Sequence, residues 1–163
     1  MSYKVNLEKE IRMYCLTLYN ISEIQKGIQS LHGVVEYGQK YKDDEDYNLW
    51  ANKHKTVILL NGGTSTNPNT FDEFFDTTCI KGSIEKYELW LKENNIKYSV
   101  FNEPDLNNAT TSLCFLTDER IFNKQKYPLE FNYTFLLNNP NYIKDMDADT
   151  YKFKLWVSKF KLV

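Results

Sequence analysis

The sequence contains few of the residues that hold metal ions or form disulfides. Three cysteines and two histidines occur among its 163 residues. Cys15, Cys79 and Cys114 are widely spaced and odd in number, and no Cys-x-x-Cys pair or Cys/His cluster is present. A zinc site is therefore not expected, and the cysteines are interpreted as reduced core residues of a cytosolic protein. We expect neither a metal ion nor a cofactor.

The chain also lacks an excess of positive charge and a long apolar run. Its formal net charge is −2 and its isoelectric point is about 5.7, which argues against a general nucleic-acid binder, because such proteins are basic. No apolar run approaches the ~20 residues that span a bilayer. The N-terminal stretch MSYKVNLEKEIR is charged and has no signal-peptide core. These absences predict a cytoplasmic protein without a membrane segment.

The chain does have enough apolar residues for a core. They make up 42% of the sequence, which is not typical of a disordered chain, and the length fits one domain, 1–163. Four apolar runs predict buried strands, and two segments predict helices; the strands are 13–19, 56–60, 98–101 and 112–116, and the helices 24–41 and 83–94. The order β-α-β-α-β-β predicts an α/β fold with a mixed four-stranded sheet flanked by helices.

The first helix carries two stripes of side chains. Its apolar residues follow helical spacing and are expected to face the core: Ile21, Ile24, Ile28, Leu31 and Val35. A polar stripe about a quarter turn away is expected at the edge of the sheet: Gln25, Gln29, His32 and Glu36.

The last 45 or so residues are less clear in pattern. Apolar residues alternate over 129–137 and suggest a strand, and NNPN at 138–141 is typical of a turn, so a hairpin is expected within 120–150. Segment 151–163 fits a strand or a helix, and we favour a strand, giving a β-rich C-terminal extension. The aromatic content of the hairpin, tested by removing residues 122–150, is compatible with a homodimer interface. A helical turn is also expected at 71–75.

One polar stretch lies between the last two predicted strands. It reads EPDLNNATTS, from Glu103 to Ser112, and combines two acids, a proline, two asparagines and three hydroxyls. By itself such a stretch is more often a turn, because proline and asparagine are turn formers. The same residues are also suited to a binding or catalytic site.

Several motifs in their order resemble one enzyme family. Gln-x-x-His-Gly at 29–33 lies on the first helix, Trp50 precedes the second strand, EPDLNN occupies 103–108, and the chain ends in KFKLV. This arrangement is similar to the Pth2-type peptidyl-tRNA hydrolases, the archaeal and eukaryotic class, and most similar to divergent forms in bacteriophages and bacteria. The resemblance implies hydrolysis of the ester between a peptide, or an N-blocked amino acid, and tRNA. A phage-encoded protein would act in the host cytoplasm.

The resemblance also implies roles for individual residues. His32 would activate water or orient the ribose ester, and Glu103 or Asp105 would hold its second ring nitrogen. The other candidates would bind substrate through amide and hydroxyl groups: Gln25, Gln29, Asn107, Asn108, Thr110, Thr111 and Ser112.

The sequence departs from this family in residues 120–150, which resemble an insertion that the family core lacks. It also departs at points that affect the substrate. The lysines usual at the start of the first helix are replaced here by Ser22, Glu23 and Gln25, and Lys26 would point to another face. Phosphate contacts supply most of the affinity for nucleic acid. The alternative hypothesis is therefore a non-catalytic module on the same scaffold, which would bind a nucleotide-derived ligand or a host protein instead of tRNA.

Overall fold

The structure is a computed structural model that describes residues 2–65 and 82–163. The strands are Ile11–Thr17 (β1), Val57–Asn61 (β2), Ser99–Glu103 (β3) and Ala109–Asp118 (β4). The helices are Glu23–Tyr41 (α1), Glu45–Leu49 (α2), Ser83–Glu93 (α3), Glu119–Phe122 (α4), Tyr133–Asn138 (α5), Tyr142–Asp145 (α6) and Ala148–Val157 (α7). The helical turn expected at 71–75 and Cys79 lie outside the described residues.

The strands form the predicted mixed sheet, in the order β2-β1-β4-β3. β1 pairs with β2 in parallel, while β4 pairs antiparallel with both β1 and β3. The α/β fold with a mixed four-stranded sheet flanked by helices is therefore confirmed. The C-terminal ends of β1, β2 and β3 and the start of β4 all lie at one edge, which we call the cleft edge of the sheet.

Two apolar cores cover the two faces of the sheet. Leu113 and Phe115 of β4 pack on one face with residues of α3 and α7, whereas Cys114 and Leu116 pack on the other with residues of α1 and the π-helical turn Trp50–His54. Cys15 and Cys114 are buried and free, as expected. This two-sided burial explains why the central strands are nearly continuous in apolar residues.

Helix α1 has an orientation opposite to the expected one. Ile24, Leu31 and Val35 are 76%, 65% and 59% exposed, so the apolar stripe points largely to solvent. The buried face consists mainly of polar and small residues, Lys26, Gln29, Ser30, Gly33 and Tyr37. The close approach of α1 to β4 explains this choice, because a Cβ at position 33 would collide with Ser112 and Cys114. Only glycine lets the helix lie on these side chains.

The predicted β-rich C-terminal extension is wrong. Segment 129–137 forms no strand and ends in α5, and most of 151–163 belongs to α7. Residues 120–150 therefore contain helices rather than a hairpin. Asp147 begins α7 by accepting the N–H of Thr150, and Phe153 and Trp156 pack into the core. Only the end of the chain is extended, through a single bridge between Leu162 and Leu60.

A buried ion pair fastens the N-terminal segment to the end of β4. Arg120 donates to both carboxylate oxygens of Asp118, at 2.7 and 3.0 Å. The Tyr3 hydroxyl donates to the same carboxylate at 2.9 Å, and Arg120 also donates to the carbonyl of Lys4 at 2.7 Å. These bonds fix residues 3–6 against the sheet, at the edge opposite to the cleft edge.

No helix within 2–65 or 82–163 is both long and apolar enough to cross a bilayer.

Candidate functional site

A cleft of about 450 Å³ opens at the cleft edge of the sheet, between the start of α1 and the loop that follows β3. The residues around it come from the turn before α1, from the first two turns of α1 and from the EPDLNN motif: Ile21, Ser22, Gln25, Ile28, Gln29, Glu103, Asp105 and Leu106. Ligand sites in open α/β sheets lie outside the carboxyl ends of strands, and this cleft has that position.

Gln29 connects the two sides of the cleft. Its amide Nε2 donates to Glu103 Oε2 at 2.8 Å and to Gln25 Oε1 at 3.3 Å. Its Oε1 accepts the Thr111 hydroxyl at 2.6 Å. Gln29 is only 3% exposed. Its amide holds the Glu103 carboxylate at the cleft, and Thr111 of β4 in turn holds the amide. We call Gln29, Glu103 and Thr111 the amide–carboxylate network.

A β-bulge supplies the third member of this network. Phe101 pairs with Ser112, whereas Asn102 pairs with Thr110, so Thr111 is the extra residue in β4. In a regular strand Thr111 and Ser112 would point to opposite faces. The bulge lets both reach α1, because Thr111 bonds Gln29 and Ser112 lies against Gly33. Bulges of this kind re-aim side chains next to functional sites.

Glu103 is held as a carboxylate. The hydrogen bond from Gln29 is the largest cause of a lowered pKa of Glu103, followed by a hydrogen bond from the backbone N–H of Asp105 at 3.3 Å and by the electrostatic effect of His32. A carboxyl group that stays ionised is a weak general base at neutral pH. Glu103 is therefore better suited to accept hydrogen bonds and to stabilise positive charge than to remove a proton.

His32 lies beside the cleft rather than in its wall. The imidazole is exposed and stacks on the Phe101 ring, with centroids 4.5 Å apart and planes 24° apart. Phe101 and Glu103 share β3, two residues apart, so both project from the same strand.

The remaining residues of the EPDLNN loop divide between cleft and turn. Asp105 is exposed and borders the cleft. Asn107 and Asn108 have φ of 56° and 58°, and asparagine tolerates this left-handed region better than most residues. Both are exposed and neither is among the residues around the cleft. The asparagine pair is therefore explained by its position in the turn that connects the 3-10 turn Pro104–Leu106 to β4.

Two hydroxyl residues of β4 lie away from the cleft surface. Thr110 donates to the Asn102 side chain at 2.9 Å, and Ser112 is fully buried beneath α1. The apolar lining of the cleft, Ile21, Ile28 and Leu106, was not predicted, since Ile21 and Ile28 were expected to face the core. Leu106 could have been predicted as a site residue, because an apolar leucine inside a polar surface turn is unusual.

Comparison with known proteins gives no relative: no protein-family model and no curated protein matches the chain. The family suggested by the motifs stays a prediction.

Proposed function

We propose that this protein is a peptidyl-tRNA hydrolase-like esterase that cleaves the ester between a peptide, or an N-blocked amino acid, and tRNA. The observation that supports the proposal best is the amide–carboxylate network, because it joins the Gln-x-x-His-Gly helix to the EPDLNN loop around one cleft. The network places Glu103 and His32 on the same side of the sheet. A protein with this substrate would act in the cytoplasm, that of the host if a phage encodes it.

Ester hydrolysis needs an activated water and donors for the developing oxyanion. His32 is the group suited to accept a proton from water, since histidine is the side chain that most often serves as a general base. Glu103, kept ionised by Gln29, stabilises the imidazolium that then forms. The N-terminus of α1 borders the cleft through Ser22. Ser22 accepts the N–H of Gln25, whereas the N–H groups of Glu23 and Ile24 lack partners within the helix. These groups and the exposed Gln25 amide are the candidate oxyanion donors.

The phosphate contacts would come from the end of the chain. Asn61 at the end of β2 donates its N–H to the carbonyl of Lys161 at 2.9 Å, which brings the C-terminal segment to the cleft edge of the sheet. Lys159 and Lys161 are exposed there. In contrast, Lys26 on α1 is buried and paired with Glu23 at 2.7 Å. We infer that the acceptor stem approaches across β2, where cations are available, rather than along α1.

The test is hydrolysis of N-acetylaminoacyl-tRNA by wild type and by His32→Ala and Glu103→Gln. We expect turnover by wild type and a loss of about 100-fold or more in kcat/KM for each variant, because general acid–base groups contribute on this scale. Gln39→Ala, exposed on the same helix, and Glu130→Gln, exposed and distant, are the matched controls. Absence of turnover by folded wild type would refute the proposal, and full activity in His32→Ala would remove His32 from the mechanism.

The RNA side of the proposal has its own measurement. The affinity for tRNA should fall for Lys159→Ala and Lys161→Ala, and the slope of log K against log salt should decrease by about 1 for each lysine. An unchanged slope in the double variant would contradict the proposed approach across β2.

A second candidate is a non-catalytic binding module. One observation favours it: among the residues that the structure describes, those around the cleft include Glu103 and Asp105 but no lysine or arginine. Such a cleft repels the phosphates of a nucleotide and suits a neutral or cationic group instead. Retention of a small amine or amide ligand by folded protein that shows no turnover would support this alternative over the hydrolase.

A further inference from the structure

A second, larger cavity lies at the edge of the sheet opposite to the cleft edge. It has a volume of about 540 Å³ and is bounded by the N-terminal segment, the loop before β3 and the acidic segment Asp43–Asp46. Apolar side chains form much of its wall, among them Val5, Leu7, Ile96 and Leu116. The size is in the range of small-molecule sites, which combine an apolar wall with a few polar groups.

The acidic segment gives this cavity an excess of negative charge. Lys97 forms ion pairs with both Asp44 and Asp46. Asp43 and Glu45 are exposed and belong to none of the ion pairs found in the described part of the chain. Lys4 is the other cationic residue at the cavity. Four carboxylates therefore face two ammonium groups, which favours a ligand that carries positive charge.

Tyr37, one of the residues around the cavity, carries a buried polar atom. Its hydroxyl has no hydrogen-bond partner within residues 2–65 and 82–163, and the residue is 0% exposed. The Tyr37 ring packs against the rings of Tyr41 and Tyr47. The negative charges of Asp46 and Asp44 act on its hydroxyl. An unpaired buried hydroxyl costs about 1–3 kcal/mol. A partner supplied from the cavity would remove this cost.

We propose that this cavity binds a small organic cation, a primary ammonium group on an apolar body. The ammonium would be bound between Asp43, Glu45 and the Tyr37 hydroxyl, and the apolar body would lie against Leu7, Ile96 and Leu116. A metal ion suits the site less well, because no three His, Cys, Asp or Glu side chains converge on one point within residues 2–65 and 82–163. The apolar wall would also contribute nothing to binding a bare ion.

The walls of the cavity are held in place before any ligand binds. Residues 3–6 are fixed by the Asp118–Arg120 ion pair and by the Tyr3 hydroxyl. The acidic segment is fixed by Lys97 and by the start of α2. Since little chain has to be ordered on binding, most of the contact energy is available for affinity.

The experiment uses tryptamine as the probe and two molecules with the same indole ring as controls. Tryptophol replaces the ammonium by a hydroxyl, and indole-3-acetate replaces it by a carboxylate. Titration calorimetry and methyl NMR on the full chain should show tryptamine binding at Leu7, Ile96 and Leu116, tryptophol at least tenfold weaker, and no binding of indole-3-acetate.

Three variants test the assigned residues. Asp43→Asn combined with Glu45→Gln should weaken tryptamine binding about tenfold, and both positions are exposed, so folding is not at risk. Tyr37→Phe should weaken it about threefold without loss of stability, since the hydroxyl has no partner to lose. Glu130→Gln, an exposed acid far from the cavity, should change nothing. The proposal is overturned by absence of tryptamine binding at about 5 mM, by equal binding of tryptophol, by unchanged affinity in the double variant, or by NMR shifts confined to the residues around Gln29.

Discussion

Replacing Gln29 with glutamate is the sharpest test of the amide–carboxylate network. The two side chains have nearly the same shape, so packing against β4 is preserved. The new carboxylate can still accept the Thr111 hydroxyl, which now lies 2.6 Å from Gln29 Oε1. It cannot donate to Glu103, and it places a second negative charge where the amide nitrogen lies 2.8 Å from Glu103 Oε2.

The expected cost follows from these distances. Two unit charges about 4 Å apart interact by about 4 kcal/mol at an effective dielectric constant of about 20. Glu103 is half-buried, so water and salt reduce the repulsion to roughly 2 kcal/mol. Loss of a hydrogen bond to a charged group adds about 1.5 kcal/mol. We therefore expect the free energy of unfolding at pH 7 to fall by about 3.5 kcal/mol, which lowers Tm by roughly 7–14 °C in a domain of this size.

The effect has a definite dependence on pH. In wild type the pKa of Glu103 is lowered, so its stabilising contribution is present above the unfolded pKa of about 4.3 and is lost as pH falls through the lower folded value. In the variant, two adjacent carboxylates share a proton and the pKa of the pair is raised. Its penalty is present above that raised pKa and is relieved as pH falls. The gap between the two proteins should be largest at pH 7 and should narrow towards pH 4.

Urea denaturation of both proteins from pH 4 to pH 8 measures this gap directly. Gln125→Glu, at an exposed position, is the matched control and should stay within about 0.5 kcal/mol of wild type. A loss below about 0.5 kcal/mol for Gln29→Glu, with no change across the pH range, would show that Gln29 does not hold the Glu103 carboxylate in solution.

Three further predictions concern packing and buried polar groups. Gly33→Ala should destabilise the protein by about 1–3 kcal/mol in urea denaturation, because the added methyl collides with β4. Gly27→Ala on the same helix meets open space and should stabilise the protein by up to about 1 kcal/mol. Equal effects of the two substitutions would contradict the close approach of α1 to β4. Tyr3→Phe should cost about 1–3 kcal/mol, since its hydroxyl both donates to the Asp118 carboxylate and accepts the Asp118 N–H; an unchanged urea midpoint would count against this role. Burial, and then the nearby Lys124, lower the pKa of Lys154 to about 8, so the unfolded chain binds more protons than the folded one between pH 8 and 10. The stability of wild type relative to Lys154→Met should therefore rise over that pH range. A difference that does not change with pH would show that the amine titrates normally.

Short-range signals predicted a large part of this fold. The four strands formed where apolar runs were long enough to be buried on both faces. Helix α1, predicted from residue 24, begins next to Ser22, which accepts the N–H of Gln25. Helix α3, predicted to end at residue 94, ends beside Asn94 and Asn95, where Asn95 has φ of 53°. Trp50, which precedes the second strand, is buried and donates to the carbonyl of Thr56. Each of these features depends on a residue and its chain neighbours.

Short-range signals gave the wrong prediction where one apolar pattern fits both a strand and a helix. The alternation of apolar residues over 129–137 resembles a strand, and segment 151–163 fits both periods. The caps decided for helices: Asn132 accepts the N–H of Phe135, and Asp147 accepts the N–H of Thr150. Lys154, in the segment for which a strand was favoured, is 2% exposed and donates to the carbonyls of Arg120 and Ile121. The period of the sequence could not reveal these partners more than thirty residues away.

The sequence by itself determined the strands, the ends of α1 and α3 and the two motifs of the candidate site, because those depend on local hydrogen bonding and on runs of apolar residues. Only the tertiary structure decided which face of α1 is buried. Hydrophobicity favours the stripe of Ile24, Leu31 and Val35, but the small residues at 30 and 33 allow a closer contact with β4. That choice turns Gln29 inward onto Thr111, a residue re-aimed by a bulge that has no signature in the sequence. The position of Glu103 at the cleft depends on both, since a bond across 74 positions exists only once the sheet and the helix have packed.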